Sequence, residues 1–421
     1  MENTTLKEIM SSFIQSIDIM NFLLKTHHRR VAVTAYHIGL SCNLPDERLK
    51  QLVLAASLHD IGALSIIERN QIIQMDIQDP HPHAILGAAM LSSFRYFNDI
   101  SKIIRYHHAY WNNGISASKS EDILFESYIL HLSDRIEILI DHEIGLLDQI
   151  DVIRDQIINL KGSIFHPEVV KAFIKISNVD QFWLDIDNLP MSDLLDKVFV
   201  EEDPIPLTLD LLEDFTYTIS RIVDFRSAFT ATHSYGVGMI AFEIGKLYGM
   251  DIEKCRMLRV AGYLHDIGKI AIPTEILDKN IKLNQSEYNL MKSHPYYTNL
   301  ILKNIKGLEN ISNWASMHHE KHDGSGYPFH ITESMMSIEM EIIAYADVFT
   351  ALTEERPYRK GKDNEVVLQT IRDNFVPQLG ETIYRIIELH IDELNEVRYL
   401  ARTKALKEYQ HATFEVKVGL K

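Results

Sequence analysis

His265-Asp266-Ile267-Gly268 and His59-Asp60-Ile61-Gly62 are the same four residues, set 206 positions apart in a chain of 421. An offset of half the length points to an internal duplication. The flanks agree. Thr26-His27 and Thr232-His233 each place a histidine 32 residues before the His-Asp pair, and Ile38-Gly39 and Ile244-Gly245 follow at a common distance. His83 stands 24 residues before His107-His108, and His294 stands 24 before His318-His319. Each half then sets an aspartate in an apolar stretch, Asp134 and Asp347. Spacings that agree at every point identify two copies of one domain.

Apolar residues recur at intervals of three and four, as in residues 17–24 and 49–56, which predicts helix almost throughout. Alternating patterns bounded by hairpin signals are missing. The expected fold class is therefore all-α, with two tandem helical bundles related by duplication. The acidic, proline-bearing stretch Glu201-Glu202-Asp203-Pro204-Ile205-Pro206 marks the boundary, giving expected domains at 1–200 and 201–421.

Charge narrows the function. Forty-two basic residues against 59 acidic ones leave a net charge of −17, which argues against sequence-independent DNA binding. A phosphate ligand would need metal ions or a local basic patch. Cys42 and Cys255 are too few for a disulfide framework and read as reduced core thiols. The polar start Met1-Glu2-Asn3-Thr4-Thr5 lacks the features of a signal peptide, and no apolar run has the length of a membrane span. The expected location is the cytoplasm, without membrane insertion.

The chemistry lies in the histidines. In the second repeat the candidate ligands are His233, His265, Asp266, His294, His318, His319 and Asp347. Imidazole and carboxylate together suit iron, manganese, zinc or nickel. Seven donors exceed the needs of one tetrahedral ion, so two ions bridged by Asp266 are the natural reading. Two ions a few ångströms apart clamp a phosphate and activate water, which is the chemistry of phosphoester hydrolysis. A single histidine on a helix is more often packed or solvated than ligating. Five histidines and two aspartates, repeated in one order, outweigh that alternative.

This order, His … His-Asp … His … His-His … Asp, resembles the HD superfamily of metal-dependent phosphohydrolases. The second repeat goes further, with His265-Asp266-Ile267-Gly268-Lys269, His318-His319-Glu320 and Asp323-Gly324-Ser325-Gly326-Tyr327-Pro328. These stretches resemble the HD-GYP signature, over about residues 205–400. Residues 10–185 resemble the HD core alone. The resemblance implies two HD-type helical bundles and hydrolysis of a cyclic dinucleotide to the linear dinucleotide or mononucleotides. Cyclic di-GMP is the expected substrate, with cyclic GMP-AMP as the alternative. It implies that the seven residues above hold metal, iron or manganese ahead of nickel or zinc. Asp266 and Lys269 would be catalytic, and Lys269, Tyr327, Arg356 and Arg359 would bind substrate. Two departures stand out. Phe229 occupies the place of a glutamate that supports a third metal in some members, so two ions are expected. Thr298 replaces a glycine, read as a small change in helix packing.

The first repeat keeps His27, His59, Asp60, His83, His107, His108 and Asp134 as a candidate second metal site. Ala63 stands where Lys269 does, and no Gly-Tyr-Pro or Arg-Pro-Tyr segment follows. Three readings stay open: turnover of another phosphoester, a regulatory module that binds without turnover, or a purely structural domain. Trp111 reads first as a packing residue, with base stacking as the alternative. For the whole chain the competing functions are a non-hydrolytic cyclic-dinucleotide receptor and a nucleotidase acting on small nucleotides. A second copy of the chain, in a homodimer, is a further expected partner.

Overall fold

The computed structural model describes residues 4–20, 26–63, 81–112, 123–199, 205–227, 230–354 and 361–419. Among them the architecture is helical, with three isolated β-bridges and no strand. Residues 21–24, 201–204, Phe229, Arg356 and Arg359, all used in the sequence reading, lie outside the described residues.

The chain divides into two compact units, Phe13–Pro204 with Ala412–Lys421, and Ile205–His411 with Met1–Ser12. A division at residue 200 assigns both termini to the other unit. The reason at the N-terminus is local backbone pairing. Leu6 donates its amide to Ile205 O (2.9 Å), Leu207 donates to Thr4 O (2.8 Å), and the Thr4 hydroxyl donates to Lys306 O (2.7 Å). Three hydrogen bonds to backbone carbonyls leave no hydrophobic period to read.

In the Ile205–His411 unit, helices His233–Tyr248 and Ile252–Leu264 cross closely. A Cβ on Gly262 would lie 2.5 Å from Gly238 Cα, so glycine at the crossing permits the approach. The second helix starts on Asp251, whose carboxylate accepts the Lys254 amide (2.8 Å). Val237, Ile240 and Ile244 of the first helix and Leu258, Val260 and Leu264 of the second are buried in the core, as are Ile342, Ile343 and Phe349 of helix Ile338–Thr353. Fully burying each such side chain contributes about 1.5–3 kcal/mol. The packing sets side by side the start of His233–Tyr248, the end of Ile252–Leu264 and the middle of Ile338–Thr353.

The first unit repeats this plan with helices His27–Ser41, Asp46–Leu58, His81–Leu91, Asn98–Arg105 and Phe125–Leu139. Helices Pro167–Ile176 and Asp180–Asn188 pack on it through Phe173, Phe182 and the fully buried Trp183, which donates Nε1–H to Ser177 O (3.0 Å). Arg29 reaches the end of Asp180–Asn188 and donates to Ile186 O, Asp187 O and Leu189 O, each at 3.0 Å. A cation on carbonyls left over at a helix C-terminus suits both their lone pairs and the helix dipole. Both cysteines are free, but Cys42 is half-buried rather than a core thiol, while Cys255 is buried.

Candidate metal centre

Each candidate ligand histidine of the second repeat sits at or just beyond a helix end. His265 follows Ile252–Leu264, His294 opens His294–Leu302, His318 and His319 follow Glu309–Ser316, and His233 opens its own helix. At these ends the backbone has carbonyls to spare, and three side chains use them. His265 Nδ1 pairs with Gly262 O, His294 Nδ1 with Met291 O and His318 Nδ1 with Ala315 O, each at 2.7 Å. A carbonyl only accepts, so the proton is on Nδ1 and the Nε2 lone pair is left facing inward. His233 differs: its Nδ1 faces the Glu354 carboxylate at 3.3 Å. Histidines that ligate metals are oriented by such contacts.

The inward atoms surround Asp266. Its Oδ2 lies 3.2 Å from His265 Nε2 and 3.8 Å from His233 Nε2, while its Oδ1 lies 3.3 Å from His294 Nε2. Asp347 Oδ1 is 3.1 Å from His233 Nε2, and His318 Nε2 is 3.3 Å from His294 Nε2. Two triads result, His233–His265–Asp347 and His294–His318–His319, in which one ligand atom per residue lies within 4.8 Å of the others. Asp266 turns one oxygen toward each. All seven residues singled out in the sequence come together.

The electrostatics favour cations. Burial works against a charge on His233, but Glu354 and Asp347 outweigh it and raise its pKa well above the ordinary value. Burial pushes His294 down to about 3 and His319 down to about 4, and it also holds His318 low, so these imidazoles are neutral at pH 7. Burial opposes ionisation of Asp266, yet His265 and Lys269 hold its pKa well below the carboxylate range. His265 Nε2 is buried and has no hydrogen-bond partner. A buried lone pair without a donor, among nitrogen and carboxylate ligands, fits a divalent transition ion.

The Gly268 backbone lies against the His294 helix, since a Cβ there would meet His294 O at 2.0 Å. Thr298 locks that turn. Its hydroxyl donates to His265 O (2.9 Å) and accepts the Gly268 amide (3.1 Å). The sequence reading of Thr298 as a small packing change is corrected here: the hydroxyl ties the ligand turn to the ligand helix. Lys269 Nζ lies 2.5 Å from Asp266 Oδ2, so its partner is the carboxylate at the centre of the cluster. Tyr327 lies over His319 with ring centroids 4.8 Å apart, and Lys292 Nζ sits 5.0 Å from the Tyr327 ring. The loop carrying Tyr327 is held by Glu320, buried at 1% exposure, whose carboxylate accepts the amides of Phe329 (2.6 Å), His330 (3.2 Å) and Ile331 (3.2 Å).

Sequence reasoning missed Glu354 and the anchoring role of Glu320. Glu320 was visible as the third member of His318-His319-Glu320. Glu354 carried no signal, because its distance from His233 is 121 residues and closes only through the fold.

The candidate set of the first repeat also converges. Asp60 Oδ2 lies 3.3 Å from His59 Nε2 and 3.6 Å from His27 Nε2, Asp60 Oδ1 lies 3.4 Å from His83 Nε2, and His108 Nε2 lies 3.1 Å from His83 Nε2. Asp134 Oδ1 stands 3.6 Å from His27 Nε2 and His107 Nε2 stands 3.3 Å from His83 Nε2. Trp111 is 43% exposed and packs on the His166 ring at 4.0 Å.

Comparison with known proteins agrees with this picture. HD domain models match residues 218–376 and residues 24–139. The 3'3'-cGAMP-specific phosphodiesterase 1 of Vibrio cholerae is 27% identical over 389 residues, 88% of this chain and 88% of that protein. The cyclic di-GMP phosphodiesterase response regulator RpfG of Xanthomonas campestris is 36% identical over 148 residues, 34% of this chain and 38% of its own. The crystal structure of a cyclic GMP-AMP-specific phosphodiesterase of V. cholerae, V-cGAP3, superposes with a TM-score of 0.60 at 22% identity, over 92% of this chain and 98% of that one, which establishes a shared fold. HD domains are metal-dependent, and both donor clusters have the composition to hold metal. The chain belongs to the HD domain family, with one HD domain in each half and the HD-GYP signature in the second.

Proposed function

We propose that the chain is a metal-dependent phosphodiesterase that opens a cyclic dinucleotide, with hydrolysis in the second domain. The observation that carries this is the clustering of His233, His265, His294, His318, His319 and Asp347 around Asp266, whose two oxygens face His265 and His294, with Lys269 on the same carboxylate. Those seven residues are the proposed ligands of two ions, iron or manganese ahead of nickel or zinc. Bound there, the ions would supply Lewis-acid stabilisation of the phosphate and a water acidic enough to ionise near neutral pH.

The protein's own contribution is placement. The carbonyls of Gly262, Met291 and Ala315 hold protons on Nδ1 and keep the Nε2 lone pairs available. Asp266 and Lys269 form a charged pair at the centre. Lys269 is set to move from that carboxylate to an arriving phosphate oxygen, where a positive charge stabilises developing negative charge. The Tyr327 ring walls the His319 side and offers a face for a base. Arg356 and Arg359, outside the described residues, remain proposed phosphate contacts.

Two substrates are supported by different observations. The relative that matches over 88% of the chain is named for 3'3'-cGAMP. The relatives named for cyclic di-GMP, such as RpfG, match a shorter part. The deciding experiment is hydrolysis of both compounds by protein loaded with iron or manganese under nitrogen, with Asp266→Ala beside wild type. Cleavage by wild type and none by Asp266→Ala supports the reading, and the ratio of kcat/KM names the substrate. Failure of loaded wild type on both compounds overturns it and leaves the receptor reading.

A further inference from the structure

Within the Ile205–His411 unit lies a cavity of about 490 Å³, near the starts of three helices whose later residues lead to the candidate ligands. Helix Ile252–Leu264 lines it with Met257 and runs on to His265 and Asp266. Helix Glu309–Ser316 lines it with Trp314 and leads to His318 and His319. Helix Ile338–Thr353 lines it with Met340 and carries Asp347 about two turns further on. At about 1.5 Å per residue, the helix from Lys254 to His265 spans about 16 Å, so the charged rim is a place apart from the metal centre. The volume falls within the range of roughly 300–1,000 Å³ typical of small-molecule sites.

The lining has two parts. Trp314 and Met340 are 6% and 7% exposed and, with Met257, give the cavity an apolar wall. An indole and two thioethers suit an alkyl chain, and the indole face also attracts a cation. The charged part is unbalanced. Asp251, Glu253 and Glu339 are three carboxylates, and Lys254 is the one basic residue of the lining. Lys254 is already paired with Glu339, which leaves the charges of Asp251 and Glu253 uncompensated by the lining. Asp251 spends one oxygen on the Lys254 amide (2.8 Å) and keeps the other for an incoming donor. Ser337 Oγ also lines the cavity and is buried without a hydrogen-bond partner, so an N–H group arriving there would satisfy it. Asn310 and Asn313, one turn apart on their helix, add amide oxygens as further acceptors. A phosphate-bearing ligand would meet the three carboxylates and be repelled, which sets this cavity apart from a second substrate site.

We propose that this cavity is a binding site, separate from the metal centre, for a small organic cation of the aliphatic di- or polyamine class. Its alkyl chain lies on Trp314, Met257 and Met340, and its ammonium groups meet Asp251, Glu253 and Ser337. The occupant and the metal ions would then share three helices.

The test is isothermal titration calorimetry of the full chain with spermidine, beside 1,6-hexanediol as an alkyl chain without charge. Two variants accompany wild type, each checked by circular dichroism. Asp251→Asn/Glu253→Gln removes the two charges while asparagine still caps the helix. Asn313→Trp fills the cavity from an exposed position and leaves every charge in place. The expected result is one saturable spermidine site per chain, an affinity about tenfold lower in the double variant, loss of the site in Asn313→Trp and no site for hexanediol. Absence of a spermidine site overturns the proposal. So does weak binding of many spermidines with equal affinity in all three proteins, which a net charge of −17 would produce by itself. Hexanediol binding as tightly as spermidine overturns it too, because the carboxylates would then have no part. None of these readouts involves hydrolysis, so their failure leaves the phosphodiesterase reading standing.

Discussion

At the scale of single residues, the site divides into atoms that face the centre and atoms that aim them. Glu354 belongs to the second group, since among the described residues it meets the centre through His233 Nδ1, at 3.3 Å. Glu354→Gln keeps the shape and removes the charge. Losing such an orienting carboxylate is expected to weaken metal affinity or activity about 10–100-fold, and metal titration would show it as a weaker class of sites. Unchanged affinity would mean the contact is incidental. Lys269→Met makes a contrasting case. It should leave metal content intact and lower kcat by about 100- to 1000-fold, the usual loss for one charged donor at a developing anion. A loss of metal instead would assign Lys269 to holding Asp266 rather than to substrate.

At the scale of elements, small anchors hold large pieces. Glu320 alone takes three amides of residues 329–331, so the loop that carries Tyr327 depends on one buried carboxylate. Glu320→Ala strands those amides at about 1–3 kcal/mol of lost local stability. The expected result is a KM that rises more than kcat falls, with faster proteolytic cleavage between residues 320 and 332. Equal loss in both constants and no new cleavage would place the role of Glu320 elsewhere. In the first domain, Arg29 binds three carbonyls at the end of helix Asp180–Asn188. Arg29→Ala should destabilise that domain by about 1–3 kcal/mol in urea unfolding, because the carbonyls lose a charged donor in a buried setting.

At the scale of the whole molecule, the two histidine clusters set a stability profile against pH. In metal-free protein, burial chiefly holds His294 at about 3 and His319 at about 4, with His318, His107 and His108 also held low. Below the ordinary histidine pKa of 6.5 the unfolded chain takes up protons that the folded chain refuses, so stability falls as pH drops from 6.5 toward 4. His59, where burial is outweighed by Asp60 and Asp134, is raised to about 9, and carboxylates likewise raise His27 and His233. The folded state keeps those protons after the unfolded state has lost them, so their contribution is present below 6.5 and lost as pH rises toward 9. Melting temperatures of chelator-treated protein should peak near pH 6.5 and fall on both sides. A profile flat from pH 4.5 to 8.5 would contradict this.

The repeat of His-Asp-Ile-Gly, its matched spacings and its helical periods were enough to read an all-α duplication and to single out fourteen residues that the fold gathers into two clusters, because these are one-dimensional regularities. Helix packing brings distant donors together whenever the spacing is kept. Tertiary structure decided the rest. It alone paired Glu354 with His233, turned the Thr298 hydroxyl onto the Gly268 turn and attached the Thr4–Leu6 segment to residues 205–207. Each of these is a contact between single groups far apart in the chain, and such contacts leave neither a period nor a spacing in the sequence.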